Sequence, residues 1–182
     1  MSDAGPIRIA LVGCGRISRN HFDAIGKIDG IELASVCDII PERAREAGER
    51  YGVPWFESFD EMLASVRSDA VALCTPSGLH PKHGILAARA GKHVVCEKPM
   101  AISLEDADAL VRECDAAGVQ LFVVKQNRLN PAIQLLKRAV DRGRFGRIYL
   151  ANTTVRWTRP QDYYDQAPWR GTWEFDGGAI MN

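Results

Sequence analysis

The stretch that decides the fold is Gly13-Cys14-Gly15-Arg16-Ile17-Ser18, together with the apolar run Ile7–Val12 that leads into it. The run is typical of a buried strand, and a helical pattern follows the loop, so this is a G-x-G-x-x-G pattern with Ser18 in the third place. The first glycine of such a loop permits a tight turn, and the second lets a pyrophosphate approach the backbone. The helix N-terminus adds free N–H groups. Although a structural turn can also produce a lone glycine pattern, the flanking strand and helix favour a dinucleotide-binding loop.

An acidic residue follows this loop at the expected distance. Asp38 lies about 20 residues further on, at the end of a second predicted strand, where a carboxylate can accept hydrogen bonds from the adenosine ribose. No arginine directly follows it to bind a 2′-phosphate, so the sequence favours NAD over NADP. Arg43 and Arg45 could still reach such a phosphate, and Asp38 could instead be a turn or capping residue before Pro41.

Strand-like and helix-like segments alternate along most of the chain. Strands are predicted over residues 7–12, 31–37, 55–56, 70–74, 93–96 and 121–125, and helices over 19–28, 41–51, 59–65, 81–90 and 104–117. Ser103 and Asp106 form a predicted capping box at the start of the last of these helices. Six strands joined by helical crossovers predict an α/β fold with a doubly wound parallel (Rossmann) sheet.

The pattern changes after this sheet. A helix is predicted over residues 131–142, and residues 148–157 then alternate like a strand with one polar face. This segment is interpreted as the first strand of an α+β domain with an antiparallel sheet. The predicted division is a dinucleotide-binding domain over residues 1–128, followed by a linker helix and the incomplete first part of a second domain over residues 129–182.

Composition narrows the class of protein. Lys plus Arg and Asp plus Glu number 23 each, so bulk charge does not favour a nucleic acid or a membrane surface. No apolar run approaches the roughly 18 residues of a membrane span, and no signal peptide is predicted. The five cysteines show no paired spacing, which predicts a cytoplasmic location. The spacing of Cys37, Cys74 and Cys96 matches no zinc motif, which predicts buried thiols and no metal.

Polar segments follow three of the predicted strands, and ligands of open parallel sheets bind beyond these carboxyl ends. The segments are Thr75-Pro76-Ser77-Gly78-Leu79-His80, Glu97-Lys98-Pro99 and Gln126-Asn127-Arg128. A desolvated lysine can move protons, so Lys98 is a candidate catalytic residue. The alternatives are a surface ion pair between Glu97 and Lys98, a helix-capping role for His80, and a local acidic partner for Arg128.

These motifs together resemble the glucose–fructose oxidoreductase/inositol dehydrogenase family (Gfo/Idh/MocA), and the resemblance covers essentially the whole chain. It is carried by the glycine loop, the TPxxxH stretch at 75–80, the EKP tripeptide at 97–99, the NR stretch before Asn130-Pro131, and Gly177-Gly178-Ala179-Ile180-Met181-Asn182. Within the family, residues 124–130, 157–164 and 169–178 are most similar to bacterial enzymes that oxidise C3 of UDP-N-acetyl-glucosaminuronic acid for surface-polysaccharide (lipopolysaccharide) synthesis.

The resemblance implies hydride transfer from the sugar to NAD, with Lys98 as the catalytic residue. It implies a substrate site of Lys98, Asn127, Arg128 and Asn182, although Asn182 could be an ordinary loop residue. The cofactor site that it implies consists of Gly13, Gly15, Arg16, Ile17, Asp38, Ser58, Thr75, Pro76, Ser77, His80, Glu97, Lys98, Gln126, Trp169 and Arg170. Family members form homo-oligomers through the second domain. Other members act on inositols or free sugars, so a different sugar or polyol dehydrogenase is the alternative.

In the family the segment that corresponds to residues 177–182 continues to a histidine that works with the EKP lysine in proton transfer. This chain ends at Asn182. The expectation is therefore that the 182-residue chain binds NAD but does not turn over unaided, as a fragment that keeps only part of the catalytic machinery.

Overall fold

The computed structural model describes residues 5–181, in which a six-stranded sheet is surrounded by helices. The strands are β1 (Ile7–Val12), β2 (Ile31–Cys37), β3 (Trp55–Phe56), β4 (Ala70–Leu73), β5 (His93–Cys96) and β6 (Leu121–Val123). The helices are α1 (Ser18–Ile25), α2 (Pro41–Tyr51), α3 (Phe59–Ser65), α4 (His80–Arg89), α5 (Leu104–Ala116), α6 (Pro131–Asp141), α7 (Gln161–Asp165) and α8 (Gly178–Met181). No helix in this part of the chain is both long and apolar enough to cross a membrane.

The strands lie in the order β3-β2-β1-β4-β5-β6, and every neighbouring pair is parallel. The order reverses between β1 and β4, which creates a crevice at the carboxyl ends of these two strands. The predicted doubly wound sheet is therefore confirmed, and the predicted bounds of its strands and helices differ from the observed ones by at most three residues.

The packing of the core explains why the sequences of the central strands are almost entirely apolar. Leu11, Val71, Leu73 and Val94 are completely buried, because helices cover both faces of a parallel sheet. One face packs against α4 and α5, where Leu110 is also fully buried. The other face packs against side chains of α1 and α2, so the strands that carry the motifs are packed on both faces.

Helix α5 begins as its sequence predicts. The Ser103 Oγ accepts a hydrogen bond from the Asp106 N–H over 3.1 Å, and the same hydroxyl donates to the Asp106 Oδ2 over 2.7 Å. The capping interaction satisfies one N–H group that the first helical turn leaves unpaired.

The chain divides into two compact units. The first runs to Val124 and includes the segment from Gly171 onward, whereas the second spans Lys125–Arg170. Within the second unit, Asn130 caps the N-terminus of α6, and its Oδ1 accepts a hydrogen bond from the Ala132 N–H. The domain boundary at residue 128 remains a prediction.

The predicted strand over residues 148–157 is wrong, because these residues form no regular secondary structure. Alternating polar and apolar residues indicate which side chains a strand would place on each face of a sheet. A strand forms, however, only when its backbone is hydrogen-bonded to a partner strand. Within residues 5–181, none of the sheet pairings involves this segment. Tyr149, Val155 and Trp157 are accordingly exposed.

Candidate functional site

The register of the sheet aligns the ends of its central strands. Val12 pairs with Cys37 on one side and with Leu73 on the other, and Leu73 pairs with Cys96. The ladder continues by one residue, through the N–H groups of Gly13, Cys74 and Glu97. Four segments therefore start at the same place, the carboxyl-terminal edge of the sheet. They are the glycine loop, the acid after β2, the segment after β4 and the EKP tripeptide.

The two loop glycines have different surroundings. Gly13 has a φ of +92°, and a Cβ atom there would lie 2.7 Å from the carbonyl carbon and oxygen of Cys74. A Cβ atom on Gly15 would meet nothing within 4 Å. The Ser18 Oγ donates to the Gly15 carbonyl oxygen over 2.6 Å and fixes the turn into α1. Gly13 thus satisfies a packing constraint, whereas Gly15 leaves the backbone open to a ligand, as a pyrophosphate requires.

Asp38 joins the end of β2 to this loop. Its carboxylate is buried, and Oδ2 accepts from the Cys14 N–H over 2.8 Å. Oδ1 accepts from the Ile40 N–H, also over 2.8 Å, which is the local turn considered as an alternative. The turn interpretation is correct but incomplete, since the same carboxylate also orients the glycine loop.

The cysteines near this edge are free thiols, as predicted. Burial, with a smaller contribution from the Asp38 charge, raises the pKa of both Cys14 and Cys37 to about 12. Burial likewise raises the pKa of Cys96 to about 12. These sulfur atoms remain protonated at neutral pH and are poor nucleophiles.

His80 joins the segment after β4 to the EKP tripeptide. Its ring is buried, with Nε2 at 2.8 Å from the Thr75 carbonyl oxygen and Nδ1 at 2.8 Å from the Pro99 carbonyl oxygen. Burial lowers the pKa of this histidine, although the two backbone contacts partly oppose the shift. His80 begins α4 but does not cap it. Contact between His80 and a cofactor remains a prediction.

The segment after Gly171 packs against the same strand ends, which the sequence does not indicate. The Gly78 N–H donates to the Phe175 carbonyl oxygen over 3.1 Å. A Cβ atom at Gly78 would lie only 2.1 Å from the Glu174 carbonyl oxygen. The absence of a side chain at Gly78 is the available signal, because glycine permits close backbone approach.

Glu97 is buried and contacts the first helix. Its Oε1 lies 2.9 Å from the Nε2 of His21 on α1, and Oε2 accepts from the Lys98 N–H over 3.2 Å. The alternative of a surface ion pair for Glu97 is therefore wrong. Sequence reasoning misses the contact between His21 and Glu97, because the two residues are far apart along the chain.

Lys98 is half-buried and follows Glu97 directly, at the edge that also carries the glycine loop. The Lys98–Pro99 peptide bond is cis. Thr75 and Ser77 lie at the same edge, and the Thr75 hydroxyl is 3.3 Å from the Nδ1 of His83. The structure thus brings together most of the residues of the first unit that are predicted to bind cofactor.

The other predicted residues are described by their own segments. Arg16 and Ile17 are exposed in the glycine loop, and Ser58 caps α3 by accepting from the Glu61 N–H. Five are in the second unit: Gln126, Asn127, Arg128, Trp169 and Arg170. Asn182 lies outside the described residues.

Two of these second-unit regions have defined local geometry. Gln126, Asn127 and Arg128 are exposed in a short 3₁₀ helix. The Arg170 guanidinium donates to the Tyr163 carbonyl oxygen over 2.6 Å and lies 4.3 Å from the centroid of the Tyr163 ring. Their roles toward cofactor or substrate remain predictions.

Comparison with known protein families agrees with the observed fold. Residues 7–125 match the oxidoreductase family with an NAD-binding Rossmann fold (GFO_IDH_MocA), and residues 133–182 match the GFO/IDH/MocA C-terminal domain.

Solved structures of high similarity include the WlbA dehydrogenases of Bordetella pertussis and Chromobacterium violaceum, both in complex with NADH and UDP-GlcNAcA. The first is 56% identical with a TM-score of 0.95, covering 97% of this chain and 54% of that one. The second is 55% identical with a TM-score of 0.96, covering 100% and 53%. A D-apiose dehydrogenase from Paraburkholderia graminis is 39% identical over 148 residues, which are 81% of this chain and 40% of that protein.

The chain spans about half the length of the relatives that it matches. The strand order, the glycine loop and the family matches all agree. The chain belongs to the Gfo/Idh/MocA family of oxidoreductases, and its N-terminal region is an NAD-binding Rossmann fold.

Proposed function

We propose that the protein carrying this chain is an NAD-dependent dehydrogenase that oxidises the C3 hydroxyl of UDP-N-acetyl-glucosaminuronic acid. The observation that carries the proposal is the strand register, which starts the glycine loop, Asp38 and Glu97-Lys98 at one sheet edge. This shared edge supports a site in which the cofactor would lie near a candidate proton-transfer residue.

The residues of the first unit fit a dinucleotide. The open side of Gly15 and the first turn of α1 would receive the pyrophosphate, because backbone N–H groups at a helix start favour anions. Asp38 keeps lone pairs for the ribose hydroxyls, since each of its oxygens accepts only one of the backbone hydrogen bonds described. Arg16, Ile17, Ser58, Thr75, Pro76, Ser77, His80 and Glu97 complete the proposed cofactor site. NAD, when bound, supplies the hydride acceptor.

Lys98 is the proposed catalytic residue. Oxidation of a hydroxyl to a carbonyl releases a proton from the oxygen, and a lysine amine can accept it within hydrogen-bond reach. The Lys98 backbone is held by Glu97, which fixes the start of the side chain. Asn127, Arg128 and Asn182 are assigned to the substrate, and Gln126, Trp169 and Arg170 to the cofactor, on family resemblance alone.

The substrate assignment is supported by the two WlbA dehydrogenases, which are 56% and 55% identical and were solved with UDP-GlcNAcA. Relatives at lower identity are named for other substrates, such as D-apiose at 39% and myo-inositol at 33%. These relatives define the alternative, another sugar or polyol dehydrogenase. The proposal places the enzyme in the cytoplasm, as a homo-oligomer in surface-polysaccharide synthesis.

Titration of NADH fluorescence tests the substrate assignment. We expect UDP-GlcNAcA to change the emission of NADH bound to the chain, and UDP-GlcNAc, which lacks the carboxylate, to do so only at much higher concentration. In the protein carrying this sequence, UDP-GlcNAcA should also reduce NAD, and Lys98→Met should abolish that reduction. A response to myo-inositol or apiose without a response to UDP-GlcNAcA would instead support the alternative.

A further inference from the structure

We propose that His21 is a positioning residue, which holds the Glu97 carboxylate in the orientation that binds the Lys98 backbone. The relevance of this role to catalysis rests on the function proposed for Lys98. The contact itself connects two motifs that are 76 residues apart in sequence.

The geometry forms a continuous chain of contacts. His21 lies on α1, the helix that the glycine loop opens, and its Nε2 is 2.9 Å from the Glu97 Oε1. The other carboxylate oxygen accepts from the Lys98 N–H. The Glu97 N–H donates to the Leu73 carbonyl oxygen, which fixes the backbone of Glu97 to β4.

Burial makes this contact specific. The side chains of His21 and Glu97 are only 15% and 11% exposed, so water competes weakly for the carboxylate. A buried carboxylate without a donor is costly, which gives the histidine a strong influence on where Glu97 points.

The charge state of Glu97 is consistent with its role as a hydrogen-bond acceptor for His21 and Lys98. Burial acts to raise the pKa of Glu97, but the hydrogen bond and charge of His21 oppose it. The Lys98 N–H and the charge of His80 act in the same direction as His21, so the net effect is a lowered pKa. Glu97 is therefore an anionic acceptor at neutral pH, and His21 must carry its proton on Nε2 to donate to it.

The consequence is a link between the two halves of the proposed site. The helix behind the glycine loop and the backbone of Lys98 are held by one carboxylate. Removing the donor from His21 leaves Glu97 free to reorient, and the Lys98 N–H then loses its acceptor. Because a hydrogen bond to a charged group is stronger than one between neutral groups, we expect the Lys98 amide to exchange about 10- to 100-fold faster.

Hydrogen exchange of the Lys98 amide, followed by NMR, tests the proposal. His21→Leu removes the donor, whereas His21→Gln places an amide donor near the position of Nε2. His21→Asn is polar but too short to reach Glu97, and Arg19→Leu is a control at an exposed position of the same helix. We expect fast exchange in the Leu and Asn variants, and exchange close to wild type in the Gln variant and the control.

Unchanged Lys98 exchange in both His21→Leu and His21→Asn would overturn the proposal, as would equally fast exchange in His21→Gln. If His21→Leu does not fold, the comparison of the Asn and Gln variants decides. The measurement needs no cofactor, so its outcome is separate from the NADH titration. If only the NADH titration gives the contrary result, the proposed function is rejected. If only the exchange measurement gives the contrary result, the positioning role of His21 is rejected.

Discussion

The Cys14 N–H donates a hydrogen bond to the Asp38 Oδ2 over 2.8 Å, which ties the glycine loop to the end of β2. The other oxygen of the same carboxylate accepts from the Ile40 N–H. Two segments that would both contact a dinucleotide are therefore oriented by one buried side chain. Asp38 therefore orients the loop, and under the proposed function it also offers an acceptor for the ribose.

Asp38→Asn should weaken both the fold and NADH binding. An amide has one acceptor oxygen, so it can satisfy only one of the two N–H groups and leaves the other facing its own NH₂ group. An unsatisfied buried donor costs about 1–3 kcal/mol of unfolding free energy. Urea unfolding and an NADH titration measure the two effects. Asp29→Asn, at an exposed position, is the control, and wild-type behaviour of Asp38→Asn in both assays would contradict this role.

Gly13→Ala should destabilise the chain more than Gly30→Ala. Both glycines have positive φ, +92° and +81°, so alanine at either position carries backbone strain of about 1–2 kcal/mol. Only at position 13 would the new Cβ atom also lie 2.7 Å from Cys74, whereas at position 30 it meets nothing within 4 Å. The difference between the two urea midpoints isolates the steric contribution. Equal midpoints would show that the Gly13 contact does not constrain the fold.

Gly78→Ala should release the segment that follows Gly171. Its Cβ atom would lie 2.1 Å from the Glu174 carbonyl oxygen, a distance that neither backbone can accommodate without moving. Limited proteolysis should then cleave within residues 171–177 at lower protease concentration than in wild type. Gly26→Ala is the control, since its nearest atom is 3.5 Å away. Identical cleavage of the two variants would argue against the contact.

His83 should make the fold less stable in acid. Burial, with a smaller contribution from Lys82, lowers the pKa of His83 from 6.5 to about 4. The unfolded chain then binds a proton before the folded chain does, so the stabilisation is complete above pH 6.5 and falls as the pH drops toward 4. His80 acts in the same direction, because its pKa is also lowered.

The comparison of wild type with His83→Gln isolates this contribution. Urea unfolding across the same pH range should show a smaller acid loss of stability in the variant, which cannot titrate. An identical pH dependence in the two proteins would show that His83 is not buried in its neutral form.

Features that depend on a short stretch of sequence could be predicted from the sequence alone. The glycine loop, Asp38 and the Ser103 cap depend on short-range pattern and on strand ends, and the sheet topology follows from the alternation of strands and helices. The motifs after the strands lie at one edge because parallel strands share a direction.

Contacts between distant segments could not be predicted in this way. The pairing of His21 with Glu97 and the approach of Glu174 to Gly78 depend on how helices and loops pack in three dimensions. Neither has a periodic signal in the sequence. The strand predicted at 148–157 failed for a related reason, because a strand requires a partner that local pattern does not specify.

NADH binding to Gly15→Ala tests the central claim most directly, since a Cβ atom at that position meets no protein atom within 4 Å. The added methyl group should leave the urea midpoint unchanged and occupy the space through which a pyrophosphate approaches the backbone. We predict that wild type binds NADH with a clear change in fluorescence and that Gly15→Ala, although equally stable, loses at least about tenfold in affinity, or about 1.4 kcal/mol. Equal NADH affinity of the two proteins, or no binding by wild type, would contradict the assignment of this loop as the cofactor site.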